Sequence, residues 1–548
     1  MTRTDSRRAR MVALGAAGAM ALAGTAAVAA PAAAAPGAAQ ACEKRANDTV
    51  AELTDCVTLD GVMEHLEAFQ AIADTPENAG TRASGTPGYT ASADYVQERL
   101  EAAGWTVTRQ QFEFPFFQQS SSAFAQVSPD AAPYTEGTDY AVMTYSGSGD
   151  VTATAQAVDI AVPPPTAANS TTSGCEAADF EGFTRGNIAL VQRGTCPFGQ
   201  KVTNAQAAGA SAVVVFNEGQ EGRTDVVQGT LGAPGATIPA IGVPYALGST
   251  LDGDTLRVAV EAVSEFRDTE NVIAELPGST TDNVVMAGAH LDSVAAGPGI
   301  NDNGSGSAAL VEVAENMAEV DLPNTVRFAW WGAEELGLLG SNHYVASLSP
   351  EQREDIGLYL NFDMVGSPNF ARFIYDGDLS AFPAPEGVPV PEGSDQIEYV
   401  FEDFYEEQEL FYEGTEFSGR SDYQAFIQAG IPSGGLFTGA EGIKQPYQAE
   451  AYGGEAGVAY DPNYHQVGDD IANLDPEALD QNSDAIAYAV LTLGYDTQRV
   501  NGMIGKPVPG GTFEGDPAAR EYRLSAAQAN GGGGLHAGHD HEHVGEEV

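Results

Sequence analysis

From residue 284 onward the chain repeats one hydropathy pattern. A short apolar run, rich in Val, Leu and aromatic residues, gives way to a stretch with apolar positions at helical spacing. The runs are 284–290, 325–331, 358–364 and 433–437; the helical stretches are 307–319, 395–407 and 476–493. Apolar runs too short for helices, alternating with helices, predict strands buried on both faces. The fold class expected is α/β, with a mainly parallel mixed sheet flanked by helices. Upstream, Val62, Met63, Leu66, Phe69 and Ile72 predict one helix. Tyr89, Ala93, Val96 and Leu100 predict a second, which Gly104 stops. Residues 105–114 place apolar side chains at near-alternate positions and predict a strand.

Between 131 and 263 the texture changes to Thr, Ser, Ala, Gly and Pro with short strand-like runs. This segment reads as a small β-rich insert between the first helices and the main α/β body. Two ends stand apart from both. Arg3, Arg7, Arg8 and Arg10 precede an apolar Ala/Gly/Leu run and then Ala-x-Ala patterns, so residues 1–41 read as a secretory signal and linker. Residues 496–548 form a tail that turns Gly- and His-rich, with His536, His539, His541 and His543 at low-complexity spacing. No later stretch is long and apolar enough to span a bilayer.

Composition narrows the partners. Asp and Glu number 77 against 24 Lys and Arg, for a formal charge of −53. Such a chain repels phosphate backbones and anionic membranes, so nucleic acid and, once the signal is removed, membrane are excluded as partners. Four cysteines in an exported chain suggest two disulfides. Proximity favours Cys42–Cys56 and Cys175–Cys196 among three pairings, and no CxxC supports a cysteine metal site.

Reactive residues of open α/β sheets gather at the carboxyl ends of strands. VVMAGAHLDS ends in His290 and Asp292; GPGINDNGSGS holds Asp302; TVRFAWWGAEELG ends in Glu334 and Glu335. LYLNFDMVG ends in Asp363, and DPNYHQVGDD supplies Tyr464 and His465 before the last helix. Each alone reads as a cap, a turn or a structural polar residue. Together they form a mixed His/carboxylate set without cysteine, which suits two Zn²⁺.

In their order, HLDS, NDNGSG, WGAEELGLLGS, NFDMVG, GRSDY and the late Tyr-His resemble the M28 family of co-catalytic zinc aminopeptidases, over roughly 57–130 and 268–495. The resemblance implies His290 and Asp363 on one zinc, Glu335 and His465 on the other, and Asp302 bridging. It implies Glu334 as general base, Tyr464 as the donor that polarises the carbonyl, and Asp292 as the carboxylate orienting His290. Arg420 of GRSDY would shape the pocket for the substrate amino terminus. Asp480 and Asp484 resemble positions that hold a structural Ca²⁺ in some members, with no amino-terminal partner evident. GNIALVQRGTCPFGQKVTNAQAAGASAVVVFNE, residues 186–218, resembles a protease-associated domain, with Cys175 as partner of Cys196. The activity implied is a secreted aminopeptidase on peptides and proteins, favouring large hydrophobic first residues, with a monomer expected. The alternatives are a glutaminyl cyclase, a carboxypeptidase of the same fold, or a non-catalytic binding protein. The insert weighs against the cyclase, GRSDY against the carboxypeptidase, and the full ligand set against a binding protein.

Overall fold

The computed structural model describes residues 42, 45–384 and 387–515. The expected signal segment and the four tail histidines lie outside the described residues. Helices α1 (Val50–Thr54), α2 (Leu59–Ala73) and α3 (Pro87–Ala103) open the fold. Next come β1 (Thr106–Ser128), β2 (Ala132–Tyr134), β3 (Ala141–Val142), β4 (Gly149–Ala157), β5 (Ile188–Gln192), α4 (Phe198–Ala208), β6 (Ala212–Phe216) and β7 (Ala240–Val243). The long β8 (Thr255–Leu276) leads into β9 (Thr280–His290), α5 (Gly306–Met317), β10 (Asn324–Trp331), α6 (Leu339–Ser347) and β11 (Ile356–Phe362). The chain continues through β12 (Phe373–Tyr375), α7 (Ser394–Glu407), β13 (Glu413–Thr415), α8 (Tyr423–Gln428), β14 (Ser433–Phe437) and α9 (Pro476–Tyr495).

Local signals set the helix ends. The Thr58 hydroxyl accepts the Gly61 N–H at the start of α2, and the Thr86 hydroxyl accepts the Tyr89 N–H at the start of α3. Pro87 occupies the first turn of α3, and Gly104 closes it in the left-handed region at φ 99°. The predicted face of Tyr89, Ala93, Val96 and Leu100 is the one α3 buries.

The sheet of the main body runs β13-β12-β14-β11-β9-β10-β8. β9 lies parallel to both β10 and β11, and β11 lies parallel to β14. β8 and β12 run antiparallel to their neighbours β10 and β14. Side chains alternate between two cores, as strand geometry requires. Val285, Ala287, Phe328, Trp330, Leu358 and Leu360 join α1, α2, α3, α5, α7 and α9 on one face. Met286, Ala329, Trp331 and Tyr359 join α6 and α8 on the other. The result is a three-layer sandwich with helices on both faces.

Three strands differ from expectation; β9 starts at Thr280, four residues before the expected 284. The strand expected at 105–114 continues to Ser128, because β1 pairs with β8 along its whole length, from Thr106 opposite Glu275 to Ser128 opposite Thr255. Backbone pairing sustains the polar stretch Gln118–Ser122, beyond which Phe124 joins the core of the insert. The strand expected at 358–364 ends two residues earlier, because Met364 takes a left-handed φ of 55° and turns the chain. The β1/β8 ribbon carries the chain out to the insert and back. There β4, β5, β6 and β7 lie parallel, with β4 hydrogen-bonded to β8. Both cysteine pairs form disulfides: Cys42–Cys56 with Cα atoms 5.6 Å apart and Cys175–Cys196 with 5.8 Å. No helix among the described residues is long and apolar enough to cross a membrane.

The packing of α9 against the first helices supplies what the sequence left open around Asp484. Burial first, then the charges of Asp480 and Asp55, push the Asp484 carboxyl up to about 8. Asp60 faces Asp480, whose carboxylate accepts the Leu59 N–H. An unfolded aspartate titrates near about 3.9, so folding disfavours the ionised form. Stability from this site is full below that value and is lost as pH rises through about 8. In chelator-treated protein, Asp484→Asn is expected to raise stability by on the order of 1 kcal/mol at neutral pH. The gain grows between pH 5 and pH 8 in thermal denaturation; a pH-independent or negative effect contradicts the account.

Candidate active site

Because β9, β10 and β11 are parallel neighbours, their carboxyl ends open on one edge of the sheet. His290 is the last residue of β9 and pairs in register with Trp331, the last of β10. Glu334 and Glu335 follow three and four residues on, and Asp363 follows β11 directly. The loop after β9 carries Asp302 and enters α5, and the loop before α9 carries Tyr464 and His465. The chain bends sharply at each of these points. Ala333, Met364 and His465 have φ of 55°, 55° and 57°. Left-handed backbone at non-glycine residues costs about 1–3 kcal/mol each and concentrates at sites whose geometry the surroundings impose.

These bends bring the expected ligands together. His290 Nε2 lies 3.2 Å from Asp363 Oδ1 and 3.3 Å from Asp302 Oδ1. His465 Nε2 lies 3.2 Å from the other oxygen of Asp302, Oδ2, and 3.0 Å from Glu335 Oε2. Asp302 thus stands between two histidines, presenting one oxygen to each. Glu334, fully buried, is 3.8 Å from His290 Nε2, outside these shorter contacts.

The electrostatics follow from packing carboxylates in a dry pocket. Burial opposes charge on His465, but Glu335 and Asp302 outweigh it and push the imidazole up to about 11. Burial likewise opposes charge on His290, and Glu334, Asp363 and Asp302 raise it well above the usual histidine range. Burial raises Asp302, yet its two histidines hold it well below the usual carboxylate range. The pocket therefore favours positive charge at its centre.

The supporting residues were not singled out in the sequence. Asp469 accepts the backbone N–H groups of Asn301 and Asp302 at 2.8 and 3.0 Å, fixing the loop that aims Asp302. Asn303, joined to Asp302 by a cis peptide, donates to Phe362 O and accepts from Met364 N–H, tying that loop to the end of β11. Ser421 donates to Asp363 Oδ2 at 2.6 Å. Arg82, fully buried, donates to the carbonyls of Leu291, Pro298 and Gly299 and so clamps the connection from His290 to Asp302. Ser421 sits inside GRSDY and Asp469 inside DPNYHQVGDD, so both offered a signal; Arg82 sits in no motif.

Two expected residues take different contacts. The Asp292 carboxylate is 3.8 Å from His290 Nδ1; the ring nitrogen instead faces the Asp292 main-chain carbonyl at 3.0 Å. The carboxylate accepts the Glu334 N–H at 3.2 Å, so it anchors the backbone of the expected base. Arg420 pairs with Glu441 at 3.6 Å, and Glu441 is one of the carboxylates acting on Tyr464. Tyr464 is buried and stacks on the His465 ring with centroids 3.9 Å apart. Burial and the carboxylates of Asp302, Glu335, Glu441 and Glu334 raise its hydroxyl well above the usual range, so it remains protonated.

The donor set fits divalent metal. Both Asp302 oxygens are buried and accept no conventional hydrogen bond, an expensive state for a carboxylate unless a cation meets it. Two ligand triplets share His290: one with Asp302 and Glu335, one with Glu334 and Asp363. Imidazole and carboxylate donors without thiolate suit zinc.

Comparison with known proteins agrees with this geometry. Residues 271–490 match the model of peptidase family M28, and residues 154–251 match the PA domain. An aminopeptidase of Pseudomonas aeruginosa is 46% identical over 460 residues, covering 82% of this chain and 84% of that one. Leucine aminopeptidase 2 of Trichophyton tonsurans is 41% identical over 454 residues, covering 81% and 85%. Among solved structures, an aminopeptidase from Aneurinibacillus sp. strain AM-1 aligns with a TM-score of 0.57 and 25% identity, over 85% of this chain and 97% of that one. A zinc aminopeptidase of Bacillus subtilis shares the fold, with a TM-score of 0.50 and 23% identity over 79% and 94%. Identity of this level over more than four-fifths of both chains, together with the family match, makes this chain a member of peptidase family M28 and an aminopeptidase.

Proposed function

We propose that this aminopeptidase uses two zinc ions and acts outside the cell on the free amino termini of peptides and proteins. The observation that carries the reading is Asp302, buried with one oxygen toward each histidine. In this reading His290 and Asp363 hold one ion, His465 and Glu335 the other, and Asp302 serves both. Bound there, zinc supplies Lewis acidity, which acidifies water and polarises the scissile carbonyl. Glu334 accepts the proton of the attacking water and passes it to the leaving amine. Its separation from the shorter His–carboxylate contacts supports a role as base rather than ligand. Tyr464, kept protonated, donates to the developing oxyanion. Glu334 and Asp363 also attract the substrate ammonium, with Arg420 and Glu441 at the rim of the same pocket.

Exposed Leu336, Ile443 and Val467 stand one or two residues from Glu335, Glu441 and His465. Apolar side chains there support a preference for large hydrophobic first residues, as does the leucine aminopeptidase name of the Trichophyton relative. The two disulfides support an oxidising, extracellular setting. The same reading divides the chain into a peptidase unit, 57–130 with 268–495, and an insert, 131–263. It also keeps calcium as a structural ion at Asp480 and Asp484, now joined by Asp55 and Asp60. Millimolar Ca²⁺ then raises the thermal midpoint of the wild type but not of Asp484→Asn.

Glu334→Gln is expected to lower kcat on a leucine anilide by about 10²–10⁴-fold while zinc content stays near the wild-type value. A variant that keeps most of its activity removes Glu334 from the mechanism. Leu-Gly-Gly should release leucine, whereas acetyl-Leu-Gly-Gly should stay intact, as read by mass spectrometry. Comparable cleavage of the acetylated peptide contradicts recognition of a free ammonium.

A further inference from the structure

A second His/carboxylate group lies away from the sheet edge, where α2, α3 and α5 pack together. His65 of α2 is fully buried among Val62, Leu66 and Phe69. Its Nδ1 is 2.8 Å from the Tyr95 hydroxyl of α3. Its Nε2 has no hydrogen-bond partner and faces two carboxylates of α5: Glu312 Oε2 at 3.6 Å and Glu315 Oε2 at 4.0 Å. Glu312 sits six residues into α5, about 9 Å along its axis from the end that carries the Asp302 loop.

We propose that His65, Glu312 and Glu315 form a further divalent-cation site, structural in role, that takes zinc or a similar transition metal and ties α2 and α3 to α5. Three observations support it. First, the spacing does not suit hydrogen bonding, which weakens beyond about 3.2 Å for nitrogen donors. Two ligands at about 2.0–2.1 Å from one tetrahedral metal stand roughly 3.3 Å apart, so a small inward shift of the two glutamate side chains from 3.6 and 4.0 Å would seat all three groups on one ion.

Second, the imidazole is already oriented as a ligand. A metal-bound histidine holds its other ring nitrogen against a hydrogen-bond partner, and Tyr95 provides one. Third, charge and shape leave room for two positive charges. Glu64, Glu312 and Glu315 carry three negative charges. Arg99 offsets one, reaching Glu64 at 2.6 Å and both oxygens of Glu315 at 2.5 and 2.7 Å. Each Glu315 oxygen keeps a second lone pair for a metal. Glu312 takes the Thr58 N–H on Oε1 at 3.3 Å, leaving Oε2 toward His65. Gly61, one turn before His65, leaves space for this carboxylate: a Cβ there would lie 2.2–2.5 Å from the Glu312 head group.

The test uses the full chain, stripped with chelator and dialysed against Zn²⁺ at pH 7.5, with bound metal counted by elemental analysis. Wild type should bind one equivalent more than Glu312→Gln and one more than His65→Gln. Any metal on the tail histidines is common to all three chains and cancels. Both variants should hydrolyse leucine anilide within about twofold of wild type after zinc loading, since neither residue touches the reacting centre. Saturating Zn²⁺ should raise the wild-type thermal midpoint more than that of either variant. Equal zinc counts in the wild type and in whichever variant folds overturn the proposal. The site at Asp302 is read separately: Asp302→Ala should keep the equivalent that depends on Glu312.

Discussion

Everything at the sheet edge answers to one constraint: carboxylates gathered where water cannot screen them. Asp302, Glu334 and Asp363 are buried, and so are Asp292, Asp422 and Asp469 just behind them. Isolated buried carboxylates are costly, and proteins tolerate them when they are paired, protonated or bound to metal. Both kinds of protein-borne relief are present. His290 and His465 are driven toward their charged forms. Burial pushes Asp292 up to about 8 and raises Asp422 and Asp469 well above the carboxylate range. Even so, Asp302 accepts no conventional hydrogen bond, and it is there that the proposed cations would complete the balance.

The scaffold holds this arrangement against its own repulsion. Asp469 fixes the Asp302 backbone, Arg82 clamps the preceding connection, and Asn303 sews the loop to the end of β11. Each contact joins segments distant in sequence. That is why three parallel strands, rather than a single helix or loop, carry the site: they supply stiff, adjacent ends from which side chains converge within about 0.5 Å tolerances. The β1/β8 ribbon extends the same sheet outward, so the insert is hydrogen-bonded to the body through strands that belong to both.

The sequence revealed the α/β alternation because buried strands and amphipathic helices have distinct periods. It singled out His290, Asp302, Glu335, Asp363 and His465 as candidate ligands because each lies at a strand end or in a loop of a repeating unit, and the fold brings them into contact. It did not reveal the roles of Arg82 or Asp469, which come from long-range contacts to main-chain groups that leave no periodicity. Nor did it show that β1 continues through the polar Gln118–Ser122 stretch, since backbone pairing leaves no mark on hydropathy. The contact of His290 with the Asp292 carbonyl, in place of its carboxylate, depends on a side-chain orientation that residue identity does not encode. Asp55 and Asp60 reach α9 only through tertiary packing, which is why Asp480 and Asp484 had no visible partner.

In the proposed site, Asp302 is a carboxylate shared between two metal ions. Anomalous scattering measured on either side of the zinc absorption edge, from crystals of the purified enzyme, tests it directly. Two peaks are expected to flank the Asp302 carboxylate, one on the side of His290 and Asp363 and the other on the side of His465 and Glu335. A single peak at that edge of the sheet, or two peaks that leave Asp302 outside their reach, would contradict it.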